Sequence, residues 1–477
     1  MKIKSTFQKK WLKKCLFGAS ATVLSSSLFL SSTVDTHAAE QDGAQSSSSE
    51  TVTQDGIATD FVPLKPSDKP GQLPMQDIED NAEKPIESTG GNIGLERKFK
   101  NKDPFIFVHG FSGFVGDNAP MNMNYWGGNK YKLAHDLGHE GYEVHEASIS
   151  AFGSNHDRAV ELYYYIKGGR VDYGAAHAKK YGHARFGKTY KGVYPNWKPG
   201  QKVHLVGHSM GGQTIRLLEE YLRHGSPEER AFHEKTGKPI SPLFEGNHDK
   251  MVKSITTIAT PHDGTVVSDE VGNKDFIKHL LYEMAKFEGH RNSKLDFGLK
   301  QWGLEQREGE NYIQYSKRAD KSPIWKTNDT ALYDLTREGA EKLNQKTTLN
   351  PNIYYRTFNG LATHEGPLGN HRVDPSVNIG HRLTGNIIGR YQDKAWRPSD
   401  GLVSVISALH PSDEAFKNVE APDAPIKGIW QVTPSMQGFD HTDFTGQDAL
   451  DKDRSNEELK DFYEGIVHNL MQTEKES

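Results

Sequence analysis

Short apolar runs alternate with amphipathic stretches over most of the chain. Six runs have the length and apolar character of buried strands: PFIFVHG, YEVHEASI, VHLVGHS, SITTIAT, IYYRTF and IWQVTP. Between them lie helical patterns such as GGQTIRLLEEYLRHG, in which Ile215, Leu218 and Leu222 recur at helical spacing. Strands separated by helical stretches predict an α/β fold, with a mostly parallel central sheet covered by helices on both faces.

The pattern also divides the chain into segments. Residues 39–95 are dominated by Ser, Gln, Asp, Pro and Gly and show no apolar period, which predicts a disordered pro-segment or linker. The folded domain is expected over residues 96–477. Inside it, the stretch from Gly264 to Lys321 is polar and irregular apart from the amphipathic DFIKHLLYEMAKF. We expect an insertion or a lid there.

The first residues have the pattern of a targeting signal. A basic stretch, MKIKSTFQKKWLKK, precedes a mildly apolar one, CLFGASATVLSSSLFLSSTV, and small residues follow at Thr36-His37-Ala38. This predicts a signal peptide over residues 1–38, cleaved on export. An N-terminal membrane anchor is the alternative, but the interrupting serines favour cleavage. With no hydrophobic anchor in HNLMQTEKES at the other end, we expect a secreted, extracellular protein.

Composition narrows the possible partners and the means of stabilisation. The chain has 58 Lys and Arg against 63 Asp and Glu, giving a formal net charge of −5. A nucleic-acid binder normally has a basic excess, so we expect no nucleic acid, and nothing in the pattern indicates a stable protein partner. The one cysteine, Cys15, lies in the predicted signal. The mature protein must therefore be held by its core, by bound metals, or by both.

One pentapeptide has the spacing of a catalytic motif. Gly207-His208-Ser209-Met210-Gly211 lies where an apolar run gives way to a helical pattern. G-x-S-x-G alone is also found in plain turns, but a strand before it and a helix after it are typical of a nucleophile elbow. The serine would be the nucleophile, and the Met210 N–H would stabilise an oxyanion. The loop HGFSG after the first run offers Phe111 N–H as a second donor.

A serine nucleophile needs a general base, and the base needs an orienting carboxylate. In elbow-type hydrolases the acid precedes the histidine in the chain. Position favours His441 in GFDHTDF, after the last strand, over His410 in SALHP. For the acid, Asp400 stands in a turn before the apolar run GLVSVIS, and the alternatives without that placement are Asp334 and Asp393.

Two groups of residues have the composition of metal sites. His177 and His183 stand six residues apart in a Gly- and Ala-rich stretch, with Asp157 upstream. Imidazole and carboxylate ligands suit zinc, although nearby histidines are commonly just exposed. Around His441 lie four aspartates: Asp440, Asp443, Asp448 and Asp451. Oxygen-only ligands suit calcium, and a solvated acidic loop is the alternative.

From about Pro104 to the C-terminus, the sequence resembles secreted staphylococcal lipases and their thermophilic Bacillus-type relatives. The resemblance rests on long stretches, among them VHGFSG, YWGG, VDYGAAHAKKYGHARFGKTY, SPLFEG, TTIATPHDGT, QWGL, NDTALYDLT and GAEKLNQ. It implies an α/β-hydrolase fold with lid and zinc-binding insertions. It also implies hydrolysis of triacylglycerols and simpler esters at a water–lipid interface.

The resemblance assigns roles to individual positions. The family's catalytic residues fall on Ser209, Asp400 and His441, and its oxyanion donors fall on Phe111 and Met210. Its structural zinc ligands correspond to Asp157, His177, His183 and Asp329. Its calcium ligands correspond to Asp443 and Asp448, and the same loop offers Asp440 and Asp451. Alternatives are a phospholipase or soluble-ester carboxylesterase with the same triad, and a non-catalytic lipid- or host-binding surface protein.

Overall fold

The structure, a computed structural model, describes residues 99–116, 124–128, 130–289, 296–420, 423–447 and 455–475. The predicted signal peptide at 1–38 and the predicted pro-segment at 39–95 lie outside the described residues. Aspartates 448 and 451 of the predicted calcium group lie outside them as well. Within the described residues, no helix has both the length and the apolar character that crossing a membrane requires.

A seven-stranded sheet forms the centre of the fold. Its strands in chain order are β1 Phe105–Val108, β2 Val144–Ala147, β3 Val203–His208, β4 Val252–Ile258, β5 Tyr354–Phe358, β6 Phe416–Asn418 and β7 Trp430–Val432. They lie in the order β6-β7-β5-β4-β3-β1-β2, and every neighbouring pair is parallel. All six apolar runs form strands of this sheet, as the sequence predicts. The edge strand β6 was not predicted.

Helices connect and cover the strands. They are α1 Leu133–His139, α2 Asn155–Lys167, α3 Ala175–Tyr181, α4 Met210–His224, α5 Pro227–Thr236, α6 Pro242–Glu245, α7 Asp275–Glu288, α8 Tyr312–Ala319, α9 Ala331–Asp334, α10 Arg337–Asn344, α11 Arg382–Ile388, α12 Val405–Leu409 and α13 Asn456–Lys475. Three short strand pairs lie outside the main sheet: Gly169–Asp172 with Phe186–Tyr190, Thr363–Glu365 with His371–Val373, and Gly360–Leu361 with Met436–Gln437.

The strands β1, β3 and β4 are buried along their whole length because both faces of the sheet are covered. In β1, Ile106 and Val108 pack into one core together with Leu162 of α2 and Leu218 of α4. Phe105 and Phe107 point into a second core that contains the buried face of α13. Alternate residues of a strand point to opposite faces, so a strand covered on both sides favours apolar residues on both, as in β1. The buried polar residues His204 of β3 and Ser254 of β4 hydrogen-bond to each other. Each such buried side chain contributes about 1.5–3 kcal/mol.

A third apolar cluster lies beside the loop that follows β1. Helix α7 contributes Leu281, Tyr282 and Ala285 to it, and they pack in one cluster with Phe114 and Phe152. The amphipathic stretch DFIKHLLYEMAKF therefore forms a helix with a buried face. This cluster is separate from the two cores of the main sheet.

Candidate active site

Ser209 occupies a sharp turn between the end of β3 and the start of α4. Its backbone is strained, with φ 55° and ψ −130°, a combination that L-residues rarely adopt. The flanking glycines are required by close contacts. A Cβ on Gly211 would lie 2.1 Å from the Val108 carbonyl oxygen, and one on Gly207 would lie 2.5 Å from the Gly211 carbonyl carbon. The turn is thus the strand–elbow–helix arrangement that the pentapeptide predicts.

His441 and Asp400 form a buried imidazole–carboxylate pair. Their Nδ1 and Oδ2 atoms are 2.7 Å apart, and the two side chains are 6% and 2% exposed. The other carboxylate oxygen of Asp400 accepts hydrogen bonds from the N–H groups of Leu402 and Val403. The His441 N–H donates to the Asp400 carbonyl oxygen. With Nδ1 bound to the carboxylate, Nε2 is left to act as a base.

The alternative acids and base lie in other environments. Asp334 is half-buried and accepts a hydrogen bond from the Asn155 N–H, and desolvation raises its pKa to about 8. Asp393 caps a short helical turn by accepting from the Ala395 N–H. The His410 ring stacks on Phe416 at the sheet edge. Each of these side chains has a structural explanation at its own position.

The loop after β1 passes directly over the serine. A Cβ on Gly110 would lie 2.7 Å from the Ser209 Cβ, so only glycine fits at this crossing. The next residue, Phe111, packs against Met210 and against the Phe152 ring. The Met210 N–H is the first of α4, and the first N–H groups of a helix have no partner within it. Both predicted oxyanion donors therefore belong to segments that adjoin Ser209.

The fully buried side chain of Arg158 forms hydrogen bonds to this loop and to two other segments. Arg158 on α2 donates from Nη2 to the His109 carbonyl oxygen and from Nη1 to the Ser150 carbonyl oxygen. Its Nε donates to the Thr214 hydroxyl on α4, at 3.1 Å. One guanidinium thus connects the loop after β1, the segment after β2 and the elbow helix. Sequence reasoning missed this residue.

A second missed connection runs through Tyr125 and His208. The Tyr125 hydroxyl accepts from the Gly110 N–H at 2.9 Å and lies 2.6 Å from His208 Nδ1. His208 Nε2 lies 3.0 Å from the His441 carbonyl oxygen. Because a carbonyl only accepts, Nε2 carries the proton and Nδ1 accepts from the tyrosine. Burial lowers the pKa of His208 well below its usual value, which agrees with this neutral form.

The four predicted zinc ligands come together from distant parts of the chain. One ligand atom from each of Asp157, His177, His183 and Asp329 lies within 4.8 Å of the others. His177 Nε2 is 2.9 Å from Asp329 Oδ2. Two buried atoms, Asp157 Oδ1 and His183 Nε2, have no hydrogen-bond partner among the described residues. Buried polar atoms without partners are costly, so this donor set fits a cation with nitrogen and oxygen ligands.

A neighbouring ring fixes one of these imidazoles. His156 stacks on His177 with ring centroids 3.6 Å apart and an interplanar angle of 13°. His156 is itself held by hydrogen bonds to the Tyr173 carbonyl oxygen and the Tyr221 hydroxyl. The stack restricts the plane of His177, which is how outer residues orient metal ligands.

The acidic loop around His441 is partly described. Asp440 accepts four hydrogen bonds, from the N–H and hydroxyl groups of Thr442 and from the N–H groups of Asp443 and Asn378. The Asp443 carboxylate in turn accepts from the Asp440 N–H at 2.7 Å. Asp440 and Asp443 are therefore adjacent, and Asp440 shapes the turn that carries His441. The remaining two aspartates of the predicted calcium group lie outside the described residues.

Comparison with known proteins identifies the family. A family model described as "Lipase-like, C-terminal domain" matches residues 101–477. The chain belongs to this lipase family. It is 56% identical over 381 residues to a lipase of Staphylococcus epidermidis, which covers 80% of this chain and 55% of the relative. Lipase 1 of Staphylococcus aureus is 52% identical over 426 residues, covering 89% of this chain and 62% of the relative.

Solved structures place the fold within the same lipase family. The crystal structure of Staphylococcus hyicus lipase matches with a TM-score of 0.78 and 57% identity, covering 80% of this chain and 98% of that chain. EstA from Clostridium botulinum matches with a TM-score of 0.66 and 38% identity, over 78% of this chain and 88% of that one. The predicted α/β-hydrolase fold is confirmed. The chain spans 55% and 62% of the two curated lipases that it matches.

Proposed function

We propose that this protein is a secreted triacylglycerol lipase that hydrolyses the carboxylic ester bonds of lipids through an acyl-enzyme. The observation that carries the proposal is the buried pairing of His441 with Asp400 at 2.7 Å, in the same structure as a serine on a strained elbow. The His208 hydrogen bond to the His441 carbonyl oxygen ties the elbow to the loop that carries the base. Identity of 52–57% to proteins named lipase supports the same reaction.

The mechanism follows from these groups. His441 Nε2 takes the hydroxyl proton of Ser209 as the serine oxygen attacks the ester carbonyl carbon. The N–H groups of Phe111 and Met210 stabilise the oxyanion, and Asp400 stabilises the imidazolium. The carbon–oxygen bond to the alcohol then breaks, and His441 gives its proton to the leaving alcohol. Water, deprotonated by His441, attacks the acyl-enzyme and releases the fatty acid and the free serine.

Apolar surroundings support a lipid substrate. Phe111 and Met210 cluster with Ala331 and Leu335 beside the predicted oxyanion hole. An acyl chain bound next to the oxyanion donors would lie against such side chains. Helix α7 is the proposed lid, because it belongs to the neighbouring aromatic cluster and is amphipathic. A lid predicts that activity rises when the substrate exceeds its solubility limit, and activity that stays flat through that limit would contradict it.

Two structural ions belong to the proposal. Zinc would be held by Asp157, His177, His183 and Asp329, a closed set of two imidazoles and two carboxylates. This cross-link would fasten the segment around α3 to the loop before α9. Calcium would be held by Asp443 and Asp448, with Asp440 and Asp451 as the further carboxylates of that loop. Its role would be to keep the turn with His441 in place.

The decisive experiment compares Ser209→Ala with the wild type on four substrates. These are a long-chain triacylglycerol emulsion, tributyrin, phosphatidylcholine vesicles and a soluble p-nitrophenyl ester. Wild type should release fatty acid fastest from triacylglycerol, and Ser209→Ala should lower kcat by ~10³-fold or more. Ser435→Ala, another serine-to-alanine change away from the elbow, should keep full activity.

Other outcomes of this experiment would change the assignment. Faster release from phospholipid would make the protein a phospholipase, and activity on the soluble ester alone would make it a carboxylesterase. Equal hydrolysis by wild type and Ser209→Ala would overturn the serine mechanism. Export is tested by N-terminal sequencing of the protein recovered from culture medium. A start at residue 39 is expected, and retention of residues 1–38 would contradict the cleaved signal.

A further inference from the structure

Helix α1 carries two exposed histidines on one face. His135 and His139 are four residues apart, which places them on adjacent turns of the same side of a helix. Their rings approach with centroids 4.4 Å apart, and the two Nε2 atoms are separated by 3.2 Å. Both side chains are accessible from solvent. Two histidines at this spacing on a helix are a known arrangement for holding a metal ion.

The carboxylate of Asp136, which contacts His135, determines which nitrogen of that ring carries the proton. His135 Nδ1 lies 2.8 Å from Asp136 Oδ1, so this nitrogen carries the proton and donates it to the carboxylate. The other oxygen of Asp136 accepts from the Lys132 N–H at 3.0 Å, which holds the carboxylate in place. His135 Nε2 therefore has a free lone pair directed at His139. A carboxylate behind a ligating imidazole is the usual outer support of metal-bound histidine.

The separation of the two nitrogens fits one ion. Zinc–nitrogen bonds of about 2.0–2.1 Å at a tetrahedral angle put two ligand nitrogens about 3.4 Å apart. A square-planar angle, which copper and nickel prefer, puts them about 2.9 Å apart. The observed 3.2 Å lies between these values. Binding requires only that His139 carry its proton on Nδ1, so both Nε2 lone pairs face the ion.

We propose that His135 and His139 form a surface site for a divalent transition-metal ion, with Asp136 supporting His135. The site takes nickel, copper or zinc, since all three accept imidazole nitrogen, and water completes the coordination. It is separate from the zinc and calcium sites proposed above, because it uses none of their residues. Leu133 and Leu137 anchor α1 in the core, so the pair is preformed and the ion stabilises the folded state.

The test uses untagged full-length protein loaded with calcium and one equivalent of zinc and then freed of excess zinc, so that the other proposed sites are filled and the histidine pair is open. Nickel chloride is then titrated by calorimetry, and melting temperature is recorded with and without nickel. Wild type should bind one nickel ion more than the His135→Gln/His139→Gln double variant, and nickel should raise the melting temperature of wild type only. Asp136→Asn should keep the site but weaken nickel binding about tenfold.

A matched control separates the pair from single surface histidines. His279 is exposed on α7 and has an acidic residue, Glu283, four positions later in place of a histidine. His279→Gln should therefore retain the nickel stoichiometry and affinity of wild type. Equal nickel binding by wild type and the double variant would overturn the site. An unchanged affinity in Asp136→Asn would overturn the supporting role of the carboxylate.

Discussion

Two buried imidazole–carboxylate pairs have similar nitrogen–oxygen distances but different hydrogen-bonding surroundings. In the proposed catalytic pair, His441 Nδ1 lies 2.7 Å from Asp400, whose second oxygen accepts two further N–H groups. In the proposed zinc cluster, His177 Nε2 lies 2.9 Å from Asp329, but Asp157 Oδ1 and His183 Nε2 have no hydrogen-bond partner among the described residues. The protein alone satisfies the carboxylate of the first pair. The second group leaves two buried polar atoms for the proposed cation.

The largest expected effect comes from breaking the pair of His441 and Asp400. Asp400→Asn should lower kcat by ~10⁴-fold, because an amide cannot hold His441 in the tautomer with a free Nε2. Folding should be kept, since an amide oxygen can still accept from Leu402 and Val403. Kinetics on tributyrin and circular dichroism melts measure the two effects. Asp393→Asn, an exposed helix cap at which Asn serves equally well, should match wild type in both.

The second prediction concerns the proposed zinc cluster. There we expect loss of a carboxylate to lower stability and to leave kcat nearly unchanged. Asp329→Asn should release zinc and lower stability by about 3–5 kcal/mol, because it leaves buried charge without its partner. The kcat of the protein that remains folded at low temperature should change little. Zinc content and denaturant unfolding are the measurements. Asp374→Asn, which breaks a carboxylate–histidine pair with the exposed His364, should alter neither. A loss of kcat without loss of stability would show that the cluster is catalytic.

A smaller effect is expected from the polar connection between the two loops of the active site. Tyr125→Phe removes the hydroxyl that joins the Gly110 N–H to His208, and both groups then remain buried and unpaired. A loss of about 1–3 kcal/mol is typical of such a change. We expect kcat to fall about tenfold, because the loop with the oxyanion donor and the proposed base are displaced. KM should be unchanged, because the residues that would contact the acyl chain stay in place. The assay is steady-state kinetics on a soluble ester.

Tyr131 offers the matched control for that variant. Its hydroxyl is buried and makes no hydrogen bond to the described residues, so Tyr131→Phe removes an oxygen without breaking a connection. Its kcat should equal that of wild type. If Tyr125→Phe also retained full kcat, the connection would have no role in positioning.

The last prediction concerns the pH dependence of stability, through a carboxylate that belongs to neither of the two groups compared above. Glu146 on β2 accepts from the Ala134 N–H, and burial raises its pKa to about 7 from the model-compound value of 4.5. The folded state thus binds a proton that the unfolded state has already lost between these pH values. Stability should therefore fall as pH rises from about 5 to 7. Glu146→Gln should flatten this part of the urea-denaturation profile, and an unchanged slope would assign it to other groups.

The sheet was predictable because buried parallel strands are continuous apolar runs. Strand β6 was missed because it lacks such a run: Phe416–Asn418 is short, exposed and mostly polar. The elbow was readable from a local pattern in which glycines and serine are adjacent. Position relative to the strands selected Asp400 and His441 as the predicted acid and base. The structure places their side chains in contact, and their catalytic role stays a prediction.

The supporting polar residues could not be predicted in the same way. Arg158 donates to backbone carbonyls of other segments. Every residue has such a carbonyl, so the sequence does not show which ones accept. Tyr125 and His208 are 83 positions apart, and His208 reaches a carbonyl a further 233 positions along. Only folding brings such groups together. Of the four proposed zinc ligands, only Asp329 was assigned by resemblance alone, because it lies 146 residues beyond His183 in the chain.

The hydrogen bond from His208 to the His441 carbonyl has a mechanical consequence. Ser209 and His208 are consecutive residues, so the proposed nucleophile and the hydrogen bond that holds the proposed base both start from the end of β3. A small shift of the strand end would carry Ser209 and the backbone of His441 in the same direction. We expect this shared anchor to keep the separation of the proposed nucleophile and base nearly constant as the sheet fluctuates.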